Sequence, residues 1–479
     1  MKDKREIFEK MPVPKALAML AIPTIISQLI SMIYNLADTF FISMAEDSSM
    51  TYAASIGFTM LFMMNCISNL FGVGAGSLIS RLLGEKKGKD AGGVASFAFY
   101  STIGFTAIYS LVVLLFMDQV LGLLAVTPTS LPFARQYALW VVVIGGIPTT
   151  ISMTMSHLLR SEGYAKHASI GLGLGGVLNI ILDPVFIFLI LGKENAVLGA
   201  AIATMISNAV TMVYFIVVYF TIKKKSVLSL DPKKAVIKKE YVKSVFAVGI
   251  PSALGSFLAC LSNIVINNLA KGYSEEYAGI FSKIYTNVDP ETLSDIPGAA
   301  INIAKKIDML PMNVGFGLCQ GMMPLVAYNF ASGDHKRMRA FARVTRAASM
   351  IFSGACIVVF EIFAEYITFI FKPNDAAWVM STDFLRILCI AVPFMLFNLQ
   401  ISFTFQAMGM GKQALILSSL RQGLVNIPLL FLMNHFFGLY GIVWTQIISD
   451  IITCVISYIV YRHAMKKLMP EGKKELKQA

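Results

Sequence analysis

The chain has 479 residues, of which 56% are hydrophobic and 14% are charged, and its mean hydropathy is +0.69. A soluble protein of this length carries about a quarter charged residues, so the composition excludes an ordinary soluble domain. Apolar runs of about 20 residues can cross a bilayer as helices, and the sequence contains about a dozen of them. It therefore predicts an all-α integral membrane protein with twelve transmembrane helices.

Most of the positive charge lies on one side of the predicted membrane. Seven segments between or outside the spans hold 32 of the 40 Lys and Arg residues, namely 1–15, 81–92, 160–167, 223–243, 336–346, 412–421 and 462–479. Because Lys and Arg concentrate in cytoplasmic loops, we expect a multi-pass protein of the inner or plasma membrane with both termini in the cytoplasm. This topology explains the formal net charge of +12, so the charge does not indicate nucleic-acid binding.

The first predicted span covers about residues 16–43 and contains an acidic side chain, Asp38, in its outer half. The span is too long for the apolar core of a signal peptide, so we expect it to remain in the protein. Acidic side chains inside a membrane are costly and mark proton relays or ion sites. Asp38 is therefore a candidate for ion or proton coupling.

The fifth predicted span contains the sequence NIILDP, residues 179–184. Asn179 and Asp183 are four residues apart, so both side chains project from one face of a helix. Pro184 has no N–H group, so the carbonyl group of Ile180 loses its usual partner. One helical turn thus offers a carboxylate, an amide and a carbonyl oxygen, which predicts a proton or ion site. The alternative is an aspartate that is buried by packing hydrogen bonds alone.

A long basic stretch separates two similar halves of the sequence. The segment MLAIPTIISQLISMIYN in span one resembles AVGIPSALGSFLACLSN in span seven, and GAAIATMISN in span six resembles GIVWTQIISD in span twelve. Because six helices return the chain to its starting side, the repeat predicts a two-fold axis along the membrane normal. The predicted parts are an N-terminal six-helix lobe at 1–222, a basic cytoplasmic linker at 223–243, a C-terminal six-helix lobe at 244–463 and a basic cytoplasmic tail at 464–479.

The second half carries a polar insertion at about 275–296 that has no equivalent in the first half. We expect it to lie outside the cell as a surface loop, and a lid is the alternative.

The second half and the methionines offer weaker candidates for a substrate cavity. Asp308 lies near the start of span eight, and Asn398 and Gln400 lie inside span ten. Methionine side chains are flexible and suit a cavity that binds varied apolar shapes, which makes Met64 and Met312 candidates. Ordinary core packing is the alternative for each methionine.

Motifs for other chemistry are absent from the sequence. The GLGLGG segment at 171–176 lies in a predicted membrane helix and does not follow a strand, so it does not predict a nucleotide site. The five histidines form no metal-binding motif, and the six cysteines are scattered without a CxxC pair. We expect no cofactor and no metal site. A membrane enzyme is thereby disfavoured, and transport driven by an H⁺ or Na⁺ gradient remains.

Several motifs together resemble the multidrug and toxic compound extrusion (MATE) family. They are ADTFF at the end of span one, SRLLGEKKGKD after span two, NIILDP in span five and YNFASGD after span eight. The resemblance covers nearly the whole chain. It implies an antiporter that opens alternately to either side and expels cationic amphiphilic drugs in exchange for H⁺ or Na⁺. We expect it to act as a monomer surrounded by membrane lipids.

The resemblance also implies roles for individual residues. The positions that match the family's first-lobe ion-binding group and its further polar ligands are Asp38, Asn179, Asp183, Thr204 and Ser156. The family more often has an amide where this chain has Ser156. Pro23 resembles the proline at which span one bends in some members, which makes it a candidate hinge.

Electrostatics favours H⁺ as the coupling ion. Two carboxylates that face one cavity of low dielectric constant disfavour a double negative charge, so we expect one proton to bind near neutral pH. A lipophilic cation favours the deprotonated site, so proton and drug compete. Na⁺ is the alternative ion. A flippase for lipid or polysaccharide precursors is the alternative function in the same superfamily, but it should line its cavity with cations, and few Lys or Arg residues lie inside the spans.

A cysteine placed at Lys233, in a background without native cysteines, tests the predicted topology. The 223–243 linker should be cytoplasmic, so a membrane-impermeant thiol reagent should label this position only after the cells are permeabilised. Labelling of intact cells from outside would contradict the charge argument.

Overall fold

The structure, a computed structural model, describes residues 2–45, 48–124, 126–235, 238–281, 296–371 and 375–468. Its regular elements in these ranges are all helices. Most of the predicted insertion at 275–296 lies outside the described residues, as does the end of the predicted tail at 464–479.

The described helices of the first half are α1 (Lys2–Glu9), α2 (Val13–Ser43), α3 (Ser48–Ser68), α4 (Gly74–Gly84), α5 (Gly88–Leu115), α6 (Met117–Leu123), α7 (Leu131–Tyr137), α8 (Gly146–Ser161), α9 (Ala165–Pro184) and α10 (Ala196–Ile222). Three π-helical turns interrupt or extend them. Asn69–Val73 joins α3 to α4, Ala138–Ile144 precedes α8, and Val185–Ile190 follows α9. Pro23 lies inside α2, which continues as one helix through it.

The described helices of the second half are α11 (Lys239–Lys271), α12 (Ser274–Phe281), α13 (Ile296–Ala331), α14 (His335–Phe369), α15 (Asp375–Cys389), α16 (Val392–Ala407), α17 (Gly411–Ser419) and α18 (Asn426–Leu468). A π-helical turn, Leu420–Leu424, joins α17 to α18. Inside α18, Gly438 has φ +60° and ψ −145°, so the backbone breaks there. Glycine tolerates this left-handed φ because it has no Cβ.

These helices account for twelve membrane spans. Within the described residues, eight helical stretches are long and apolar enough to cross a bilayer, and two further pairs, α7 with α8 and α15 with α16, are bent by 53° and 48°. The stretch 411–468 is one of the eight, and its break at Gly438 divides it into two spans. The 36-residue α13 supplies the twelfth span.

The chain forms two compact units. The first comprises Met1–Cys260, Phe316–Thr345 and Gln406–Gly411, and the second comprises Leu261–Gly315, Arg346–Phe405 and Lys412–Ala479. The first unit therefore includes parts of α11, α13 and α14 from the second half of the sequence. The predicted lobes at 1–222 and 244–463 do not coincide with these units, because single long helices of the second half contribute to both. The lobe boundaries stay a prediction.

Glycines allow α2 and α9 to pack closely in the first unit. A Cβ atom at Gly176 would lie 2.8 Å from the Ile30 side chain and 3.2 Å from the Tyr34 ring. A Cβ atom at Gly173 would lie 3.2 Å from Ile30. The GLGLGG segment is thus a helix-packing surface, as small residues often are in membrane proteins. Because these contacts advance along both helices in the same direction, the C-terminal part of α2, with Asp38, comes to lie beside the NIILDP segment.

Backbone-to-backbone contacts also join α11 to the α3–α4 region inside the first unit. A Cβ atom at Gly249 would lie 1.9 Å from the Leu70 carbonyl oxygen, and one at Gly74 would lie 2.4 Å from the Val245 carbonyl oxygen. No side chain fits at either position, so these helices are held at the distance that glycine sets.

Substitution of Gly249 by alanine should lower the free energy of unfolding by about 1–3 kcal/mol, because the new methyl group forces the two backbones apart. The matched control is Gly104→Ala in α5, where no atom of the described residues, apart from the adjoining part of the same helix, lies within 4 Å of the added Cβ. That change should leave stability unchanged or raise it by up to about 1 kcal/mol, since alanine is the better helix former. Thermal unfolding in detergent measures both, and equal effects would contradict the packing.

Candidate functional site

The amide group of Asn179 organises a buried polar cluster. Asn179 Nδ2 donates to Asp183 Oδ1 at 3.1 Å and to Thr204 Oγ1 at 3.2 Å. Asp183 lies one turn further along α9, and Thr204 lies on the neighbouring α10. All three side chains are buried, and Asp183 is 0% exposed. The structure therefore brings together three of the residues that the sequence singled out.

Three acceptor oxygens of this region are buried and have no hydrogen-bond partner among the described residues. They are Asp38 Oδ1, Asn179 Oδ1 and Asp183 Oδ2. Buried polar atoms in proteins are normally hydrogen-bonded, and an unpaired buried carboxylate costs several kcal/mol. A proton or a small cation would supply the missing positive charge. We call Asp38, Asn179, Asp183 and Thr204 the acid site.

Asp38 reaches the acid site through the packing of α2 on α9. Tyr34 contacts the Gly176 position, and Asp38 lies one turn beyond Tyr34 on the same face of α2. Because α2 and α9 run in the same direction, one further turn along each carries Asp38 toward Asp183. The two carboxylates lie close enough for their charges to interact. Two acidic groups of one low-dielectric region cannot both remain charged without strong repulsion.

The backbone changes its helical geometry directly after Asp183. Pro184 is the last residue of α9, and the π-helical turn Val185–Ile190 begins at the next position. Proline cannot donate the usual backbone hydrogen bond, and π-helical turns occur frequently at functional sites. Asp183 thus lies where the regular α-helix of the fifth span ends.

Two tyrosines that the sequence analysis missed lie beside the acid site. The Tyr34 and Tyr137 phenol groups both lie within electrostatic range of Asp38 and Asp183. Tyr137 is buried, and its ring fills the space beside Gly57, where a Cβ atom would lie 2.3 Å from it. The four-residue spacing of Tyr34 and Asp38 was a usable sequence signal. Tyr137 comes from the fourth span and had none.

Ser156 makes different contacts from those expected of an ion ligand. Its hydroxyl donates to the Met153 carbonyl oxygen at 2.7 Å and accepts from Arg160 Nη1 at 3.3 Å. A hydroxyl beside a buried guanidinium is poorly suited to bind a cation, because the two positive charges repel each other. No contact within the described part of the chain joins Ser156 to the acid site, so its predicted role has no support.

The two methionine candidates lie in apolar clusters. Met64 is 0% exposed and packs in the core of the first unit with Met60 and Val113. Met312 packs against Val392, among other residues, in the second unit. These positions fit ordinary core packing, which was the alternative for both, and a cavity role stays a prediction.

The polar candidates of the second half hold helices together. Asn398 Nδ2 donates to the Asp450 carbonyl oxygen at 3.0 Å and to Thr453 Oγ1 at 2.9 Å. Gln400 Oε1 accepts from Arg346 Nε at 3.1 Å. Asp308 is half-buried on α13. Their part in a substrate cavity stays a prediction.

The carboxylate of Asp450 is neutralised, in contrast to those of the acid site. Arg421 Nε donates to Asp450 Oδ1 at 2.8 Å, and Gln446 Nε2 donates to Asp450 Oδ2 at 2.8 Å. The side chains of Arg421 and Asp450 are 12% and 1% exposed. The charge distribution of the sequence placed Arg421 in the predicted cytoplasmic segment 412–421. In the structure Arg421 lies in the π-helical turn Leu420–Leu424, and its guanidinium group is instead buried against the carboxylate of Asp450.

The internal repeat places apolar residues where the first half has its acids. The segment GVLNIILDP around Asn179 aligns with GLVNIPLLF around Asn426, which puts Leu430 at the position of the second acid. The match between the first and seventh spans puts Ile266 at the position of the first acid. A small cavity of the second unit is lined by Ile266, Leu430, Asn426 and Lys305, among other residues. The second half therefore keeps the amide of this site without its carboxylates.

Asp183→Asn should make the protein more stable in alkaline buffer, by about 1–3 kcal/mol, because an amide removes an unpartnered buried charge. The gain should shrink in acidic buffer, where the wild-type carboxyl group is protonated and uncharged. The matched control is Asp118→Asn, an exposed carboxylate that pairs with Arg135 at 2.8 Å. It should change stability little in either buffer. Thermal unfolding across pH measures the difference, and a loss of stability for Asp183→Asn in alkaline buffer would contradict the unpartnered charge.

Comparison with known proteins identifies relatives along nearly the whole chain. The MatE family profile matches residues 23–185 and 291–432. The chain is 33% identical over 463 residues to the multidrug export protein MepA of Staphylococcus aureus (strain MRSA252), covering 96% of each protein. It is 32% identical over 481 residues to the multidrug export protein MepA of Staphylococcus saprophyticus subsp. saprophyticus, covering 99% of each.

The fold resembles solved transporter structures. An outward-facing structure of a multidrug resistance MATE family transporter of the MOP superfamily superposes with a TM-score of 0.85, at 21% identity, over 97% of this chain and 98% of that chain. This likeness confirms the predicted all-α membrane fold of twelve helices in two lobes. The matched family region 23–185 includes Asp38, Asn179 and Asp183.

Proposed function

Because the chain belongs to the MatE family of multidrug export transporters, we propose that it exports lipophilic cations by antiport with H⁺. The protein is a multidrug efflux transporter and not an enzyme. The choice of ion and the charge of the substrate are the new parts of the proposal. Both depend on the acid site.

The observation that carries the proposal is the set of three unpartnered oxygens, Asp38 Oδ1, Asn179 Oδ1 and Asp183 Oδ2. A proton on one carboxyl group gives it a donor, which can bond to another of these oxygens. The proton also halves the negative charge of the site. Both effects favour proton uptake when the site is closed off from water.

Proton and drug are coupled through this charge. A lipophilic cation is stabilised when both carboxylates are ionised, and a proton is bound more weakly when the cation is present. Such a coupling is reciprocal, so each ligand lowers the affinity for the other by the same factor. Exchange across the membrane requires only this competition and access from alternate sides.

Na⁺ is the second candidate, and one observation favours it. Asn179 Oδ1 is buried without a partner, and an amide oxygen can bind a cation although it does not take up a proton at ordinary pH. Thr204 Oγ1 lies in the same cluster and offers a further oxygen. Hard cations prefer such carboxylate, carbonyl and hydroxyl ligands. The two ions are separated by experiment.

The distribution of positive charge supports a plasma-membrane or inner-membrane protein with cytoplasmic termini, and we propose that it acts as a monomer. Its substrates would approach from the cytoplasm or the inner leaflet. Loops rich in Lys and Arg remain on the cytoplasmic side when a protein is inserted into the membrane.

Asp183→Asn should abolish efflux of a fluorescent lipophilic cation that is driven by a pH jump in sodium-free vesicles, because an amide cannot take up and release the proton. Asp38→Asn should do nearly the same. Asn179→Ala should be milder, about a tenfold loss, since it removes an orienting hydrogen bond and no charge. Asp118→Asn serves as the matched control and should transport normally.

Normal pH-driven efflux by Asp183→Asn would refute the acid site as the coupling site. If the wild type responds only to a sodium gradient, and Asp183→Asn loses that response, the site is retained and the ion is Na⁺. If neither gradient drives cation efflux by the wild type, the antiport proposal is wrong.

A further inference from the structure

Residues 7–11, which comprise the last residues of α1 and the first residues after it, are bound to the corner where α13 ends and α14 begins. Arg337 Nε donates to the Phe8 carbonyl oxygen at 2.7 Å. Arg337 Nη2 donates to the Met11 carbonyl oxygen at 2.5 Å and to the Ile7 carbonyl oxygen at 3.4 Å. The last carbonyl groups of a helix lack intrahelical partners, and a guanidinium group offers several donors in a fixed fork. Arg337 of the second half thus holds the end of α1.

The side chain of Phe8 fills the space between the two halves at this corner. Phe8 is 3% exposed, and its ring stacks on Tyr328 with centroids 4.8 Å apart. The Tyr328 hydroxyl donates to Glu9 Oε1 at 2.6 Å, and Asn329 Nδ2 donates to the Phe8 carbonyl oxygen at 3.2 Å. On its other side the Phe8 ring approaches Gly163, in the loop between α8 and α9, where a Cβ atom would lie 3.3 Å away. Phe8 therefore touches first-half and second-half segments at once.

The same end of the first unit is tightly closed. Ser77 Oγ on α4 donates to the Gln406 carbonyl oxygen at 2.6 Å, and Ser77 is fully buried. A Cβ atom at Gly84, also on α4, would lie 2.4 Å from the Tyr328 carbonyl oxygen. First-half and second-half backbones are thus in direct contact beside Phe8, all within one compact unit.

We propose that residues 7–11 form a latch that stabilises the state in which this end of the transporter is closed. The inference rests on the proposed alternating access, because opening this end requires the α13–α14 corner to move away from α4 and from the α8–α9 loop. The latch continues directly into α2 of the first half, so that movement must break its bonds to Arg337, Asn329 and Tyr328. The latch sets the population of the open state, since bonds made in one state only shift the equilibrium toward it.

A buried reporter cysteine measures this equilibrium without transport. Ser77→Cys, in the full-length protein without native cysteines and in detergent, should react slowly with a thiol reagent while the end is closed. Phe8→Ala and Arg337→Gln should each accelerate labelling about tenfold or more, which corresponds to about 1.4 kcal/mol. Arg337→Lys keeps the positive charge but lacks the forked set of donors. Its labelling rate should therefore fall between those of the wild type and Arg337→Gln.

Two controls separate latch release from general loosening. Ser80→Cys lies one turn further on α4, but its hydroxyl donates to Ser161 within the first half, so labelling there should stay slow in every variant. Lys10→Ala removes an exposed side chain from the same segment and should leave the labelling of Ser77→Cys unchanged. Thermal unfolding confirms that each variant is folded.

Unchanged labelling of Ser77→Cys in folded Phe8→Ala and Arg337→Gln variants would overturn the latch, as would equal acceleration at Ser80→Cys or by Lys10→Ala. Failure of the latch and failure of the antiport proposal are distinguishable. Faster labelling combined with no ion-driven efflux by the wild type supports the latch and refutes antiport, whereas normal efflux with unchanged labelling refutes the latch alone.

Discussion

The orientation of one buried amide, that of Asn179, sets the chemistry of the acid site. Both of its bonds as a donor go to Asp183 and Thr204, so its carbonyl oxygen faces the opposite way and remains without a partner. Together with the unpartnered oxygens of Asp38 and Asp183 it forms a group of three acceptors that receive no hydrogen bond from the described residues. Such an arrangement is costly in a folded protein and persists where function requires it. Under the proposed antiport, a bound proton or cation would offset this cost.

The rest of the first unit serves to place these oxygens. Small residues on α9 let α2 approach closely enough for Asp38 to join the cluster, and Tyr137 of the fourth span lies within electrostatic range of both acids. Tyr137 directly precedes the π-helical turn Ala138–Ile144, as Pro184 precedes Val185–Ile190. Two residues at or beside the site thus directly precede a π-helical turn, an element that occurs frequently at functional sites.

The two halves share one architecture but differ in how their buried acidic side chains are paired. The second half keeps an amide at Asn426 but places Ile266 and Leu430 where the acids would be, and it pairs one of its other acids, Asp450, with Arg421. A buried pair with both carboxylate oxygens bonded holds helices together and has no charge left for an ion. The carboxylates of Asp38 and Asp183 have unpartnered oxygens among the described residues, whereas the carboxylate of Asp450 is paired. The two halves therefore differ chemically despite their repeat.

The sequence by itself determined the class of protein, the number of spans and the shared face of Asn179 and Asp183, because hydropathy, loop charge and helical period are local properties of the chain. The tertiary structure alone decided the contacts between distant segments. It brought Tyr137 to the acids, turned Ser156 toward a guanidinium and carried Arg421 inward to a carboxylate. No spacing rule predicts these outcomes, since each depends on how closely two helices pack and on which side chains then compete for the same buried charge.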